Sequence, residues 1–215
     1  MIEKYKTILK ENMDEIIIER SKFLGYAAPV ETEGEAIDFI KGVNEKHKDA
    51  NHNVYGYTIG YDNEVQRYSD DGEPSGTAGI PVLEVIRKED LKNVVVVVTR
   101  YFGGIKLGAG GLVRAYTKAA KLGLAASKIV SKRLYSQITL KIDYSLIGKI
   151  QNEIIQQGYY IKDTVYQEDV AFNLYVRNTE VEGFKAAAID WTNDKAIIIE
   201  GETEYLTEIE GKILK

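Results

Sequence analysis

Residues 93–121 read "NVVVVVTRYFGGIKLGAGGLVRAYTKAAK". The five valines are β-branched and apolar on both faces of an extended chain, which predicts a strand buried inside a sheet. Two glycine pairs follow the valines, Gly103-Gly104 and Gly110-Gly111. From about Gly110 to Lys128 the spacing of the apolar residues predicts a long helix. The predicted elements on both sides of this stretch also alternate between strands and helices.

Upstream, the sequence predicts four further strands and two helices. The strands cover "EIIIER" and "SKFLGYAAPV" at 15–30, "NVYGYTIGY" at 53–61 and "EVQRYS" at 64–69. One helix is predicted over 33–48, with apolar residues on one face. The other is predicted in "TAGIPVLEVIRKE", where Thr77 is a candidate cap and Pro81 lies within the first turns.

Downstream, the predicted elements follow a different order. They are the strand "YSQITLKI", the helix "SLIGKIQNEIIQQG", the hairpin "YYIKDTVYQ" and "VAFNLYVR", the helix "EVEGFKAAAIDWTND" and the strand "KAIIIEGETEYL". The order β-α-β-β-α-β is that of the ferredoxin-like split unit. A boundary near 131–134 therefore predicts two domains, 1–133 and 134–215.

Length and composition agree with an ordinary globular protein. A chain of 215 residues fits two domains, and a hydrophobic fraction of 44% is enough for packed cores. No apolar stretch reaches the ~18 residues of a membrane span, and the charged N-terminus lacks the apolar middle of a signal peptide. With no cysteine and two histidines, disulfides are excluded and a zinc site is disfavoured. We therefore expect a soluble cytoplasmic protein without membrane contact, metal or cofactor; the oligomeric state stays open.

The charges are unevenly distributed along the chain. Residues 1–133 carry 20 Lys and Arg against 19 Asp and Glu, a net of +1. Residues 134–215 carry 8 against 14, a net of -6, and the two sums give the total of -5. Between Asp90 and Asp143 there is no acid, while ten Lys or Arg occur. This segment is expected to give the protein a positively charged face.

The glycine-rich turn has two interpretations. A helix N-terminus beside Lys106 favours an anion, which indicates a phosphate site that includes Arg100, Gly103, Gly104, Gly110 and Gly111. Strand-to-helix turns also need glycine for steric reasons alone. The Walker order G-x-x-x-x-G-K-[ST] is absent.

The predicted helix carries a stripe of cations. Arg114, Lys118, Lys121, Lys128 and Lys132 are spaced by four, three, seven and four residues. A solvated helix face usually mixes charges of both signs, but this helix contains no acid. The stripe therefore indicates contact with a polyphosphate such as a nucleic-acid backbone, with simple solvation as the alternative.

A second polar cluster lies in the turn "SDDGEPSGT". The three acids are Asp70, Asp71 and Glu73, and the candidates for a polar cleft also include His52, Ser75 and Thr77. Carboxylates in a turn suit Mg²⁺ or acid–base chemistry. The alternative, which the absence of a metal-binding frame favours, is that they cap the next helix and pair with Arg100 or Arg67. His47 is expected at a helix end, where a cation is favourable. We also expect this turn to lie near Arg100 and Lys106, because three acids need cations or solvent to screen them.

These two motifs carry a resemblance to a known family. "RYSDDGEPSGTAGIPVLEVI" followed by "VVVVVTRYFGGIKLGAGGLVRAY" resembles the signature of the YigZ/IMPACT family of uncharacterised proteins. "ERSKFLGYAAPV" and "HKDANHNVYGY" fit the same pattern, so that the resemblance covers about residues 10–125. Residues 134–215 resemble the second domain of the bacterial branch; eukaryotic members carry instead an unrelated N-terminal module that is absent here.

The resemblance implies folds and a functional context. It implies an α+β protein with two domains: an N-terminal α/β sandwich of the ribosomal-protein type, shared with GHMP kinases, and a C-terminal ferredoxin-like domain. Eukaryotic members are linked to translational control under amino-acid starvation, but through the module missing here. RNA, the ribosome or translation factors are thus the expected partners.

Two functions of different class stay open at this point. The first is a nucleic-acid- or ribosome-associated binding protein that uses the basic segment. The second is an enzyme acting on a phosphorylated or peptide-like small molecule between the "SDDGEPSGT" and "RYFGGIKLG" motifs. A flat basic face favours the first function, and a deep cleft with converging polar groups favours the second.

Overall fold

A computed structural model describes residues 2–214, which divide into two units. One unit comprises residues 5–131, and the other comprises residues 2–4 together with 132–214. Both are mixed α/β with antiparallel sheets, as the predicted α+β class requires, and the described residues hold five α-helices in all. Within residues 2–214, no helix combines the length and hydropathy that crossing a membrane requires.

The N-terminal unit is built on a five-stranded antiparallel sheet with the order β2-β3-β6-β4-β5. Its strands are β2 (Asn12–Ile18), β3 (Ser21–Pro29), β4 (His52–Ile59), β5 (Val65–Ser69) and β6 (Val94–Tyr101), preceded by β1 (Lys4–Ile8). Its helices are α1 (Glu33–Lys46), α2 (Gly79–Lys88) and α3 (Gly108–Ala126). The strands and helices predicted for this part of the sequence are confirmed, and β1 is an addition.

The valines of β6 are buried on both faces of the sheet, as predicted. Val94, Val96 and Val98 belong to the core that α2 and α3 cover. Val95 and Val97 belong to the core on the α1 side. Since successive side chains of a strand point to opposite faces, a central strand between two helical layers must be apolar at every position.

Helix α3 packs unusually close to β3 because both carry glycine at the contact. A Cβ atom added to Gly25 would lie 2.0 Å from the carbonyl oxygen of Ala119. One added to Gly123 would lie 2.5 Å from the carbonyl oxygen of Gly25. No other residue type fits at either position without moving the helix off the sheet.

The bounds of α3 correct part of the predicted cation stripe. The helix begins at Gly108, two residues before the predicted start, and ends at Ala126. Lys128 lies beyond it with φ of 60°, and Lys132 lies on the following strand. The helical stripe therefore contains Arg114, Lys118 and Lys121 only.

The C-terminal unit contains the predicted β-α-β-β-α-β succession and one short strand more. Its elements are β7 (Ile129–Ile142), α4 (Ile147–Gln156), β8 (Tyr160–Tyr166), β9 (Val170–Arg177), α5 (Val181–Thr192), β10 (Ile197–Ile209) and β11 (Lys212–Ile213). The strand order is β11-β10-β7-β9-β8. Its core joins alternate residues of β7 and β9 to the buried faces of α4 and α5. The domain boundary between residues 133 and 134 stays a prediction.

Candidate functional site

The first carboxylate of the acidic turn holds the start of α2. One oxygen of Asp70 accepts hydrogen bonds from the backbone N–H groups of Ala78 (3.0 Å) and Gly79 (2.8 Å). The expectation that Thr77 caps α2 is wrong: the N-cap is Ala78, and the Thr77 hydroxyl donates to the carbonyl of Pro74. A capping side chain usually accepts from the free N–H groups of a helix's first turn. Here a carboxylate from outside the helix accepts from them instead.

The second carboxylate fixes the adjacent strand and its histidine. Asp71 accepts from the backbone N–H of Asn53 at 2.6 Å, and its carbonyl oxygen contacts Nδ1 of His52 at 2.7 Å. A carbonyl oxygen only accepts, so Nδ1 of His52 carries a proton, and in the neutral ring Nε2 is the nitrogen with the lone pair. This Nε2 lies 3.8 Å from the nearest carboxylate oxygen of Glu73, which is longer than a hydrogen bond.

The third carboxylate forms a buried ion pair with the end of β6. One oxygen of Glu73 accepts from Arg100 at 2.5 Å and from the hydroxyl of Tyr116 at 2.7 Å. Glu73 is 8% and Arg100 is 5% exposed. The guanidinium carbon of Arg100 lies 5.4 Å from the ring centroids of both Phe23 and Phe102, and its Nε is buried without a hydrogen-bond partner in the described part of the chain. Burial, and then the bond to Glu73, raises the pKa of the Tyr116 hydroxyl, which therefore stays a donor.

The glycines of the loop serve different purposes. A Cβ on Gly103 would lie 2.1 Å from the backbone carbonyl of Arg20, so this glycine allows the close approach of two strands' ends. Gly104 has φ of 86°, which few other residues adopt. Gly110 and Gly111 lie in the first turn of α3, which no side chain caps. The packing interpretation thus explains the first pair, while the second pair lies beside free helix N–H groups.

A cavity of about 450 Å³ lies where the two motifs meet the start of α3. His52, Glu73, Arg100, Phe102 and Lys106 line it together with the first residues of α3. The acidic turn and the glycine-rich loop are neighbours, as expected, and Glu73 pairs with Arg100.

The remaining polar-cleft candidates do not line this cavity. Asp70 and Asp71 use their carboxylates on backbone N–H groups instead of on cations. Ser75 is exposed on the turn, and Arg67 pairs with Glu33 at 3.6 Å. Nowhere in residues 2–214 do three or more His, Asp or Glu side chains form a group that could hold a metal ion.

We name the basic surface for its four members: Lys106, Arg114, Lys118 and Lys121. All four side chains are exposed. The last three share one side of α3 through their spacing of four and three residues. None of the four is in an ion pair with a carboxylate of any described residue. A cation without a partner keeps its full charge for an external anion.

His47 differs from its expected role. It is the C-terminal cap of α1, but burial, and next the charge of Lys46, lowers its pKa. Its ring contacts the hydroxyls of Tyr26 (2.7 Å) and Tyr101 (2.9 Å), and the latter hydroxyl donates to Asp49. Burial and the charge of Lys46 therefore act against the cation that the helix terminus alone would favour.

Two residues of the site, Tyr116 and Phe102, have no role predicted from the sequence. Tyr116 is among the buried residues of α3, and its hydroxyl reaches the ion pair. A tyrosine among small apolar residues is itself a signal, since a buried hydroxyl usually has a partner. Phe102 lies in the glycine-rich loop, and its ring is 45% exposed beside the cavity.

Two family models match parts of the chain. Residues 19–124 match the Impact N-terminal domain, and residues 140–195 match a domain of unknown function, DUF1949. The acidic turn, the cavity and the basic surface all lie within the first match.

Similarity to individual proteins extends over both units. The chain is 44% identical over 206 residues to the IMPACT family member YvyE of Bacillus subtilis, which covers 96% of this chain and 95% of that relative. It is 31% identical over 177 residues to YigZ of Escherichia coli, covering 81% and 87%. A crystal structure described as that of a hypothetical protein matches with a TM-score of 0.60 at 28% identity, covering 94% of this chain and 99% of the other. With both domains in sequence and near-complete coverage of such relatives, the chain belongs to the YigZ/IMPACT family.

Proposed function

We propose that the protein binds the phosphate backbone of nucleic acid through the basic surface. The observation that carries this proposal is the lack of any acidic partner for Lys106, Arg114, Lys118 and Lys121 among the described residues. Phosphate neutralisation by such cations releases counterions and supplies most of the affinity of non-specific binding. Because these contacts reach no base edge, binding is independent of sequence.

The start of α3 supports the same proposal. Its first turn contains Gly108, Gly110 and Gly111, and no side chain caps its N–H groups. A helix of this length carries a partial positive charge at its N-terminus, where a phosphate oxygen is favoured. Lys106 precedes the helix, and Nη1 of Arg114 would lie 3.6 Å from a Cβ on Gly110. Two cations therefore flank the same helix terminus.

We propose a translation-related role for the protein on the basis of its family. A eukaryotic relative, Protein IMPACT of Rattus norvegicus, is 39% identical over 97 residues, which are 41% of this chain and 29% of that relative. We propose an N-terminal fold of the ribosomal-protein type and a C-terminal ferredoxin-like fold, the latter supported by the β-α-β-β-α-β order. RNA, the ribosome or translation factors in the cytoplasm are the proposed partners, by analogy of fold and family.

The experiment is a salt titration against labelled single-stranded and duplex nucleic acid. Each cation that contacts a phosphate contributes about 0.9 to the logarithmic salt slope on duplex DNA and about 0.7 on a single strand. Replacing Arg114, Lys118 and Lys121 by alanine should therefore lower the slope by about 2–3 and weaken all sequences alike. The matched control replaces Lys41, Lys48 and Arg67, three exposed cations elsewhere on the same unit. Equal, salt-insensitive affinities for the wild type and the α3 variant would rule out the basic surface.

A second function is favoured by the cavity. An enzyme acting on a phosphorylated or peptide-like small molecule would use Nε2 of His52 as its base, since Nδ1–H is held by the backbone of Asp71. Lys106 and the start of α3 would bind the anionic group of the substrate. Its test is consumption of a metabolite from a cell extract, followed by mass spectrometry. Loss of turnover in His52→Gln with an unchanged nucleic-acid salt slope would favour the enzyme, and no turnover in the wild type would remove it.

A further inference from the structure

The C-terminal sheet has one face that its own helices do not cover. The buried residues of β7 and β9, such as Ile138 and Leu174, pack with α4 and α5. Since side chains alternate along a strand, Tyr135 of β7 and Tyr175 of β9 lie on the opposite face. These two strands are neighbours in the middle of the strand order, and β8 adjoins β9 at the edge.

Three tyrosine rings form a row across this face. The ring centroids of Tyr160 on β8 and Tyr175 lie 6.1 Å apart, and those of Tyr175 and Tyr135 lie 6.5 Å apart. They line a cavity of about 490 Å³ together with Arg177 and Lys212, which we name the tyrosine cavity. Tyr135 is buried, whereas Tyr160 and Tyr175 are half-buried.

Glu180 and Glu208 at the tyrosine cavity are already paired with cations, and Glu204 beside Tyr175 accepts a hydrogen bond from Gln137 at 2.7 Å. Glu208 is 3% exposed and accepts from the hydroxyl of Tyr135 at 2.7 Å and from Arg133 at 3.0 Å. Arg177 bonds to Glu180 at 3.1 Å and lies 3.8 Å from Glu208. This network holds the Tyr135 ring in place and neutralises Glu180 and Glu208, which would otherwise repel an anion.

Two lysines lie at the cavity. Lys212 is exposed, and neither it nor Lys162 is in an ion pair with any carboxylate in residues 2–214. The ammonium of Lys162 lies 5.3 Å from the centroid of the Tyr175 ring. Aromatic faces with adjacent cations are the combination that binds the bases and phosphates of a single strand.

We propose that the tyrosine cavity binds an unpaired nucleotide of a single-stranded nucleic acid. The base stacks on Tyr160 and Tyr175, and the adjacent phosphate lies beside Lys212. Aromatic residues on the central strands of a four-stranded sheet are a recurrent means of stacking unpaired bases. The acidic excess of residues 134–215 disfavours further phosphate contacts around the cavity, so that the contact is limited to one or two nucleotides of the strand. This proposal rests on the proposed function in taking nucleic acid as the ligand, but it concerns a different surface.

The test compares a single-stranded oligoadenylate with a fully paired hairpin of the same length. In Tyr175→Ala the affinity for the single strand should fall about 5- to 150-fold, the range found for loss of one base–aromatic stack. Tyr160→Ala should act in the same direction. Tyr175→Phe retains the ring and should stay within about twofold of the wild type. Affinity for the hairpin should not change in any of these variants, because the bases of the hairpin are already stacked. Unchanged hairpin binding also shows that the variant proteins are folded.

The matched control is Tyr166→Ala on the same strand as Tyr160, since Tyr166 is 62% exposed and does not line the cavity. Single-strand affinity in Tyr175→Ala and Tyr160→Ala equal to the wild type would overturn the proposal. So would competition by AMP as strong as that by the oligomer, which would assign the cavity to a free nucleotide. If alanine at Arg114, Lys118 and Lys121 has no effect while Tyr175→Ala does, the basic surface fails and the tyrosine cavity stands. The reverse result removes the tyrosine cavity alone.

Discussion

Replacing Glu73 by alanine should destabilise the N-terminal unit more than any exposed acid can. The substitution leaves the guanidinium of Arg100, which is 5% exposed, without its counter-charge. Removal of one partner of a buried ion pair costs about 3–5 kcal/mol, because the other charge stays desolvated. Tyr116 loses its acceptor in the same step, at a cost of about 1–3 kcal/mol that overlaps with the first. We therefore expect a loss of about 3–5 kcal/mol in the free energy of unfolding.

The assay can separate the two units. The chain has one tryptophan, Trp191, which lies on α5 in the C-terminal unit, so its fluorescence follows that unit alone. Far-UV circular dichroism follows both units. In urea or on heating, Glu73→Ala should shift the dichroism transition and leave the fluorescence transition unchanged. For a unit of this size the midpoint should fall by about 10–25 °C.

Two further variants test the physical cause. Glu45→Ala removes an exposed acid of α1 and should change stability by no more than about 0.5 kcal/mol. Replacing Glu73 and Arg100 by methionine together with Tyr116→Phe removes every member of the network and should recover most of the loss. A loss below about 1 kcal/mol in Glu73→Ala would refute the reasoning that an uncompensated buried charge dominates.

Three shorter predictions concern the same unit. The pKa of His47 is lowered from 6.5 in the folded protein, so its contribution to stability is present above pH 6.5 and is lost as the pH falls. In urea denaturation at several pH values, the free energy of unfolding of His47→Gln should therefore depend less steeply on pH than that of the wild type. Gly25→Ala should cost about 2–3 kcal/mol or more because of its clash with α3, whereas Gly42→Ala, with no atom within 4 Å, should gain up to about 1 kcal/mol; equal thermal midpoints would contradict both. Asp70→Ala should cost about 1–2 kcal/mol and increase amide exchange at the start of α2, and unchanged exchange would remove its capping role.

Much of the N-terminal unit could be predicted from the sequence because its signals are local. Five consecutive valines require burial on both faces, and the spacing of Arg114, Lys118 and Lys121 places them on one side of any helix. The observed start of α3 lies two residues before the predicted one. The N–H groups of a helix's first turn have no partner within the helix, so the sequence defines that end only weakly.

The sequence predicts that acids of this turn cap the next helix and pair with Arg100, and both roles are found, but it does not predict which acid takes which role. Asp70, Asp71 and Glu73 are chemically similar and lie within one turn, yet one caps a helix, one holds a strand and one pairs with Arg100. Which role each takes depends on the backbone of the turn, where Asp71 has φ of 44°. The neighbours of Tyr175 were equally inaccessible, because they depend on strand register. Tyr160 is set by the register of the β8–β9 hairpin, which contains an irregularity after Ile161, and Tyr135 by pairing with β7, much earlier in the chain.

The position of β6 in the sheet has a consequence for how the chain folds. Its hydrogen-bonded partners are β3 and β4, both of which precede it by a long stretch, whereas β2 with β3 and β4 with β5 are local hairpins. Local pairs close quickly, and long loops slow the later ones, so we expect β6 to join between preformed hairpins as a late, rate-limiting step. Until then a charge-free valine run is exposed, which is the composition that aggregates through strand stacking. Once β6 is inserted, both of its edges are occupied, and the most aggregation-prone segment of the unit becomes the one that the native sheet protects best.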